Sequence, residues 1–198
     1  MSAVPMLAGV GLLSVCCISS SVASTMMGGE ETPEETKPVE TEPTLPSGQH
    51  VKLVHTTAQD NSAEGNVDDK NKILNLAELE VFAKGGTTSL AAGKTVTGSS
   101  EYSATHGYLN LVDGNMTNFA HTKGRTAEEI DYLQVDLGSV QEIEKIKITN
   151  RTSCCKNRAI GVKAVILGAD GTTVVKETPA ISTTADTYTF TFPGTTWA

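Results

Sequence analysis

The residues best suited to binding chemistry lie in one short stretch, residues 150–158, which reads Asn-Arg-Thr-Ser-Cys-Cys-Lys-Asn-Arg. Two of the chain's three arginines, Arg151 and Arg158, flank the adjacent cysteines Cys154 and Cys155. Arginine presents a rigid fork of five donors and stays charged, so two together suit a multiply hydroxylated or anionic ligand. The alternative is a surface loop whose arginines pair with nearby acids or are simply solvated. The elements around the stretch must decide between these two interpretations.

Composition favours a β domain and excludes several partner classes. The 198 residues are 5% aromatic and 19% charged, with abundant Thr, Ser, Gly and Val, which is typical of short strands. A formal net charge of −8 argues against nucleic acid or an anionic membrane surface as a partner. The four cysteines form two adjacent pairs without a CxxC spacing, which argues against a structural zinc site. The composition therefore predicts an all-β domain that does not bind nucleic acid.

Two segments precede this domain. Residues 4–27 are apolar and nearly uncharged, and a secretory signal cleaved after Ala23 is one interpretation. Because no Lys or Arg precedes the apolar run, we expect instead a retained hydrophobic anchor or buried arm at residues 1–27, with membrane contact through residues 4–27. Residues 28–48 form an acidic, Pro/Thr-rich linker, whose four prolines and like charges keep a chain extended.

Residues 49–198 carry the strand signals. Residues 73–82 could form a helix, but their alternation and the following Gly85-Gly86 favour a strand. Asp170-Gly171 is a strong hairpin signal between two further strands. The predicted strands are residues 51–55, 74–82, 132–137, 143–149, 162–167, 172–176 and 187–192. Short strands at this spacing predict an antiparallel β-sandwich.

Several motifs in this order resemble a known family. They are Gly93 to Ser100, Asn110-Leu111-Val112-Asp113-Gly114-Asn115, His121-Thr122, Leu133 to Gly138, and Ile146 to Arg158. Together they cover roughly residues 73–177 and resemble the galactose-binding-like jelly-roll sandwich of discoidin or coagulation-factor (F5/8) type C domains. The resemblance is closest to the fucose-binding F-type lectins, and to domains of this kind in proteins of large DNA viruses.

The resemblance implies a sugar site. In F-type lectins a histidine and two arginines hold sugar hydroxyls, and a vicinal disulfide packs against the sugar ring. The matching positions are His121, Arg151, Arg158, Cys154 and Cys155. The chain departs from the pattern in two respects. Ser153 replaces an aspartate that would orient the arginines, and the interval from His121 to Arg151 is longer by a few residues.

The resemblance also implies a structural calcium ion. Its ligands would be Asp113, the carbonyls of Asn110 and Asn115, and Glu78, all of which offer the hard oxygen atoms that calcium prefers. Residues 76–82 resemble the family's last strand but precede its first, so we expect a circularly permuted arrangement. The alternative for the Asp-Gly-Asn sequence is a turn held by Asx hydrogen bonds without metal.

Other patterns carry less weight. Cys155 with His121 is a conceivable nucleophile pair, but adjacent cysteines beside two arginines fit a binding loop better, so we expect no enzymatic activity. Asn115-Met116-Thr117 and Asn150-Arg151-Thr152 match the N-glycosylation acceptor pattern. A glycan at either position would obstruct sugar binding.

Three functional hypotheses follow. The first is a non-catalytic structural protein of a large assembly, concretely a minor capsid or virion surface protein of a large DNA virus. Other capsid proteins would be its partners, and the virion, near a membrane, its location. The second is a secreted or membrane-tethered lectin that binds fucose-like glycans. The third is a module attached to an enzyme elsewhere.

Overall fold

The computed structural model describes residues 44–56, 73–124 and 130–198. The chain divides into two units, Met1–Glu40 and Thr41–Ala198, and every described residue belongs to the second. The predicted arm and the predicted linker as far as residue 43 lie outside the described residues. Within those residues, no helix is long and apolar enough to cross a membrane.

Eight strands form the described structure. They are β1 (Ser47–His55), β2 (Asn75–Ala83), β3 (Thr95–Gly98), β4 (Ala120–His121), β5 (Tyr132–Asn150), β6 (Val162–Leu167), β7 (Val174–Glu177) and β8 (Thr187–Thr191). Three single-turn 3-10 helices accompany them: Ala104–His106, Tyr108–Leu111 and Lys156–Ala159. All strand pairs are antiparallel. The fold is therefore the antiparallel β-sandwich that the sequence predicts.

The long strand β5 belongs to both layers. Its first half pairs with β1 and β3, and its second half pairs with β2 and β8. The first sheet is completed by β6 and β7, and the second by β4. Gly138, at the crossing, has a φ of +88°, which favours glycine, and its N–H donates to Asp136 Oδ1 at 2.8 Å. The two strands predicted at residues 132–137 and 143–149 are thus one continuous strand that changes sheet.

The alternation predicted for β2 is broken by a bulge. The pairing with β5 shifts between Leu76 and Glu78, so one extra residue, Ala77, opposes the partner strand. Leu76 and Leu79 consequently both enter the hydrophobic core, although a strict period of two would place them on opposite faces. Strict alternation through residues 74–82 would place Leu76 and Glu78 on one face, and the bulge separates them.

The core lies between the two sheets. Its fully buried large side chains include Leu53 of β1, Leu133 of β5 and Phe190 of β8. Burying each such side chain stabilises the fold by about 1.5–3 kcal/mol. The first strand begins at Ser47, so the last two residues of the predicted linker are part of the sandwich. The hairpin at Asp170 is present, with Thr172 and Thr173 N–H groups both donating to Asp170 Oδ1 at 2.9 Å.

Candidate functional site

The second sheet brings the predicted sugar-binding residues to one edge. His121 pairs with Asn75 of β2, and Leu76 of β2 pairs with Asn150, the last residue of β5. The arginine loop, residues 151–158, follows Asn150 directly. Residues far apart in the sequence therefore meet where β4, β2 and β5 end side by side.

Asn150 fixes the shape of the arginine loop. Its side chain is fully buried, and Nδ2 donates to the carbonyls of Lys156 and Ala185 at 2.9 Å and contacts the Tyr188 hydroxyl at 3.3 Å. Its Oδ1 accepts from the Arg151 N–H at 2.9 Å. A buried amide with all these partners is costly to disturb. Asn150 is therefore a structural anchor of the loop and is inaccessible as a glycan acceptor in the folded protein.

The cysteine pair forms the vicinal disulfide that the family resemblance implies. A bond joins Cys154 to Cys155, with Cys154 exposed and Cys155 half-buried. Cys155 has a φ of +62°, in the left-handed region that few non-glycine residues adopt. Its carbonyl accepts from the Arg158 N–H at 3.1 Å and so begins the 3-10 helix that carries Arg158. The disulfide and the second arginine are thus held by one rigid turn.

Arg158 and His121 form a buried pair. Arg158 is 4% exposed, and its Nη1 lies 3.4 Å from His121 Nε2. On the other side of the ring, Nδ1 lies 2.5 Å from the Thr122 carbonyl oxygen. A carbonyl can only accept, so Nδ1 carries the proton and Nε2 is the acceptor for the guanidinium. The imidazole N–H expected to donate to a sugar is therefore already used inside the protein.

The charge state of His121 agrees with this tautomer. Burial lowers the pKa of His121 from its ordinary value of 6.5 to about 4, and the positive charges of Arg158 and Arg151 and the nearby His106 lower the pKa further. The hydrogen bond to the Thr122 carbonyl opposes this shift. The imidazole is neutral at physiological pH, and the positive charge of the site comes from its arginines.

Arg151 is oriented by two contacts. Its guanidinium carbon lies 4.1 Å from the centre of the Phe119 ring, within the range of a cation–π interaction. Its Nε donates to the Ser153 hydroxyl at 2.8 Å. Ser153 thus supplies a neutral acceptor at the position where the family has a carboxylate. The bond from Arg151 to this neutral hydroxyl is weaker than a bond to a carboxylate would be.

An aromatic cluster that the sequence did not reveal surrounds His121. The ring of Tyr102 lies 4.7 Å from that of His121, and His106 packs edge-on against Phe119 at 4.3 Å. Tyr102 is 59% exposed and stands at the rim of the site. One signal was available: Phe119 and His121 are two residues apart, so an extended chain places them on one face. Tyr102 and His106 arrive from a separate loop, and their positions depend on the fold.

The predicted calcium ligands come together in part. Glu78 is 3% exposed, and its Oε2 accepts from the Gly114 N–H at 3.1 Å, which brings β2 to the Asp-Gly-Asn loop. In that loop Asp113 accepts from the Asn115 N–H at 2.8 Å and from Asn118 Nδ2 at 2.7 Å. These are the Asx hydrogen bonds of the metal-free alternative. A carboxylate oxygen has a second lone pair, so these bonds and a cation are compatible.

The side-chain amide of Asn110 connects two other parts of this region. Its Nδ2 donates to the carbonyls of Thr105 and Phe119, both at 3.1 Å. The side chain therefore ties the 3-10 helix Tyr108–Leu111 to the residue beneath Arg151. This bond connects the predicted calcium loop with the sugar site through Phe119.

Two observations test whether a calcium ion fits. Burial raises the pKa of Glu78 from 4.5 to about 7, assisted by the charges of Asp113 and Glu80 and opposed by the Gly114 N–H. The Oδ1 of Asn118 is buried without a hydrogen-bond partner in the described part of the chain. A carboxylate that is costly to ionise and an orphaned carbonyl oxygen are both satisfied by a hard cation. In residues 44–56, 73–124 and 130–198, no three His, Cys, Asp or Glu side chains cluster to hold a metal, so amide and backbone oxygens would have to complete the shell.

A separate groove lies on the outer face of the first sheet and has a volume of about 590 Å³. Its two lysines are engaged by other residues of the groove: Lys52 Nζ lies 4.2 Å from the Tyr132 ring centre, and Lys163 pairs with Glu177 at 2.6 Å. No arginine is among the described residues that line the groove. The arginine loop is therefore the better candidate for binding a hydroxylated ligand.

Comparison with protein families agrees with the fold and the loop. Residues 110–198, just under half of the chain, match the model described as NedA-like, galactose-binding domain, of the F5/8 type C group. The matched segment contains the Asp-Gly-Asn loop, His121 and the whole arginine loop, but not Glu78. Comparisons with curated proteins and with solved structures gave no match. The predicted resemblance is confirmed at this level: residues 110–198 match a galactose-binding domain model of the F5/8 type C group, and the antiparallel β-sandwich is consistent with that fold.

Proposed function

We propose that this protein is a non-catalytic carbohydrate-binding protein whose ligand is held by Arg151 and Arg158 against the Cys154–Cys155 disulfide. One observation carries the proposal: His121, both arginines and the disulfide meet at one edge of the second sheet. The guanidinium groups supply fixed donors for sugar hydroxyls, and the disulfide offers a flat apolar surface for the C–H face of the ring. A fucose-like sugar is the ligand class that the family resemblance favours.

The different burial of the two arginines supports different roles for them. Arg151 is half-buried and lies at the surface of the site, so it is the more accessible donor to a ligand. Arg158 is almost fully buried, and its orientation is set by His121. In this proposal Arg151 forms the outer contact, Arg158 forms the deep contact, and the neutral imidazole acts as an acceptor that holds Arg158.

The same geometry supports a binding role over a catalytic one. Cys155 is in a disulfide and so has no thiolate, which removes the Cys155–His121 nucleophile pair from consideration in this oxidation state. The proton on His121 Nδ1 is held by the Thr122 carbonyl. No acid–base pair poised for chemistry is formed by these two residues.

Calcium is part of the proposal as a structural ion. Glu78, Asp113 and the Asn118 carbonyl oxygen would hold it, together with backbone oxygens of the Asp-Gly-Asn loop. Bound there, the ion would neutralise the buried Glu78 carboxylate and cross-link β2 to the loop. Asn110 then transmits this order to Phe119 and so to Arg151. The role of the ion would be to stiffen the rim of the sugar site.

The assembly role and the location in a virion remain predictions. They depend mainly on the apolar segment at residues 4–27, which lies outside the described residues. The two hypotheses are compatible, because a virion surface protein can also bind glycans through a sugar site on its β-sandwich. The described domain favours the sugar-binding part of this picture.

A glycan array followed by calorimetry with free L-fucose tests the proposed function. We expect the wild-type domain to bind fucosylated glycans, and Arg151→Lys to weaken binding at least 10-fold, because the bidentate fork is lost. Lys176→Ala, which changes an exposed charge on β7, is the matched control and should bind like the wild type. Absence of binding to any glycan by the wild type, or unchanged affinity in Arg151→Lys, would contradict the proposal.

A further inference from the structure

Three buried polar side chains lie on the elements that meet beside the arginine loop. Asn75, His121 and Arg158 are 0%, 6% and 4% exposed. Asn75 and His121 lie directly opposite each other in the β2–β4 pair, so their side chains share one face, with Cβ atoms about 5 Å apart. The strand β2 also contacts the 3-10 helix Lys156–Ala159 that carries Arg158.

The amide of Asn75 stands out in this group. Neither its Oδ1 nor its Nδ2 has a hydrogen-bond partner among the described residues, although the side chain is wholly buried. Buried amides are almost always paired, and each exception requires an explanation. His121 does not provide the partner, because Nδ1 is bonded to the Thr122 carbonyl and Nε2 faces Arg158. Something other than these protein groups must satisfy the amide.

We propose that Asn75 is a positioning residue of the sugar site, and that its amide holds one buried water which bonds in turn to the His121–Arg158 pair. A water molecule has two donors and two acceptors, so it can donate to the amide oxygen and accept from the guanidinium. Direct contact with a sugar is excluded by the complete burial of Asn75. Through the water, the amide restrains the buried guanidinium that forms the deep contact of the proposed sugar site.

The effect on binding rests on the proposed function, but the water itself does not. A crystal structure at better than about 1.5 Å resolution should show a water within hydrogen-bond distance of Asn75. In Asn75→Leu, which has a similar volume and no polar atoms, the melting temperature should stay close to that of the wild type. Its affinity for the sugar should nevertheless fall at least 10-fold, because the guanidinium loses its restraint.

A matched control separates positioning from stability. Thr178→Val removes a buried hydroxyl that bonds to the Ala164 N–H at 2.9 Å in the first sheet. We expect this variant to be less stable than the wild type but to bind sugar with unchanged affinity. Asn75→Asp keeps the acceptor oxygen, so it should bind more tightly than Asn75→Leu.

A readout independent of sugar is the titration of the His121 ring nitrogens by NMR. We expect the carboxylate of Asn75→Asp to raise the pKa of His121 from about 4 by at least one unit. The proposal is overturned if the density shows no water and the amide is bonded to protein, or if Asn75→Leu loses stability but keeps its affinity. If the wild type binds no sugar, the proposed function fails. The water in the electron density and the NMR titration of His121 still test whether the Asn75 amide is linked to the His121–Arg158 pair.

Discussion

Nη1 of Arg158 lies 3.4 Å from Nε2 of His121, and both side chains are almost fully buried. A permanent cation thus donates to a neutral imidazole whose other nitrogen is held by the Thr122 carbonyl. Protonation of Nε2 would put two positive charges in contact in a poorly solvated space. The pair is therefore stable only while His121 is neutral, and this makes the site sensitive to acid.

The first prediction concerns this sensitivity. The pKa of His121 is about 4 in the folded state and 6.5 ordinarily, so the unfolded chain binds more protons between these values. The stabilising contribution of the neutral imidazole is fully present above pH 6.5 and is lost as the pH falls to about 4. The loss corresponds to about 3 kcal/mol at 1.36 kcal/mol per pKa unit. Denaturant unfolding at a series of pH values measures it.

The free energy of unfolding of the wild type is compared at each pH with that of His121→Gln, which keeps a polar group but does not titrate. Glu78 has the opposite effect, since its raised pKa of about 7 gives stability that is lost as the pH rises, but it is present in both proteins and cancels. Arg158, Arg151 and His106 also face the imidazole, and a His106→Gln background removes the neighbouring histidine. A stability difference that does not change from pH 7 to pH 4 would contradict the burial of a neutral His121.

The second prediction concerns Ser153, whose hydroxyl accepts from Arg151 Nε at 2.8 Å. Ser153→Asp should hold the guanidinium through a charge-assisted bond and raise the affinity for sugar about 3-fold to 10-fold. Ser153→Ala should lower it by a similar factor, because Arg151 then loses the hydrogen bond from its Nε. Ser139→Asp, in the exposed bend of β5, adds the same charge away from the site and should have no effect. If calorimetry gives the two Ser153 variants equal affinity for sugar, Ser153 does not orient Arg151 for binding.

The third prediction concerns calcium. A cation present at 100 times its dissociation constant stabilises the fold by about 2.7 kcal/mol, which corresponds to about 5–10 °C in a domain of this size. After treatment with EDTA, addition of calcium should therefore raise the melting temperature. Glu78→Gln should abolish this rise. Glu80→Gln, on the same strand and paired with Lys147, should retain it. Equal calcium responses in the two variants would show that Glu78 is not a ligand.

Some of this site could be predicted from the sequence because it depends on local pattern. The alternation of β5 and the Asp170-Gly171 hairpin specify strands and turns directly. The order of the Asp-Gly-Asn, His121 and Arg-x-x-Cys-Cys motifs matched a family whose residues meet in space, and the structure does bring His121 to Arg158. Local pattern and recognised motif order therefore gave the architecture and the members of the arginine loop.

The rest depends on contacts that no local pattern specifies. The bulge at Ala77 is an insertion in the pairing of two strands, and it appears only when β2 is aligned with β5. Tyr102 reaches His121 from a loop 19 residues earlier in the chain, so its contribution depends on how that loop packs. The tautomer of His121 depends on the position of the Thr122 carbonyl. Such features belong to the tertiary structure and cannot be read from spacing.

The fourth prediction concerns the two N-glycosylation sequences. Asn115 is exposed, and its Oδ1 accepts from the Thr117 hydroxyl at 2.7 Å, whereas Asn150 is wholly buried and bonded through Nδ2. Folded protein secreted from a glycosylating host should therefore carry a glycan at Asn115 alone. Peptide mass spectrometry of the wild type and of Asn115→Gln checks this result. A glycan on Asn150 in correctly folded protein would show that the arginine loop is not anchored as described.

The fifth prediction separates the two roles of the vicinal disulfide. Cys154 and Cys155 are adjacent, so their bond closes no long loop and removes little entropy from the unfolded chain. The Cys154→Ser, Cys155→Ser double variant should therefore melt within about 3 °C of the wild type. Its sugar affinity should fall at least 10-fold, because the flat apolar surface is lost and the turn that begins the helix of Arg158 is released. A variant of wild-type affinity would mean that the disulfide is not part of the binding surface, and a large loss of stability would assign it to the fold instead.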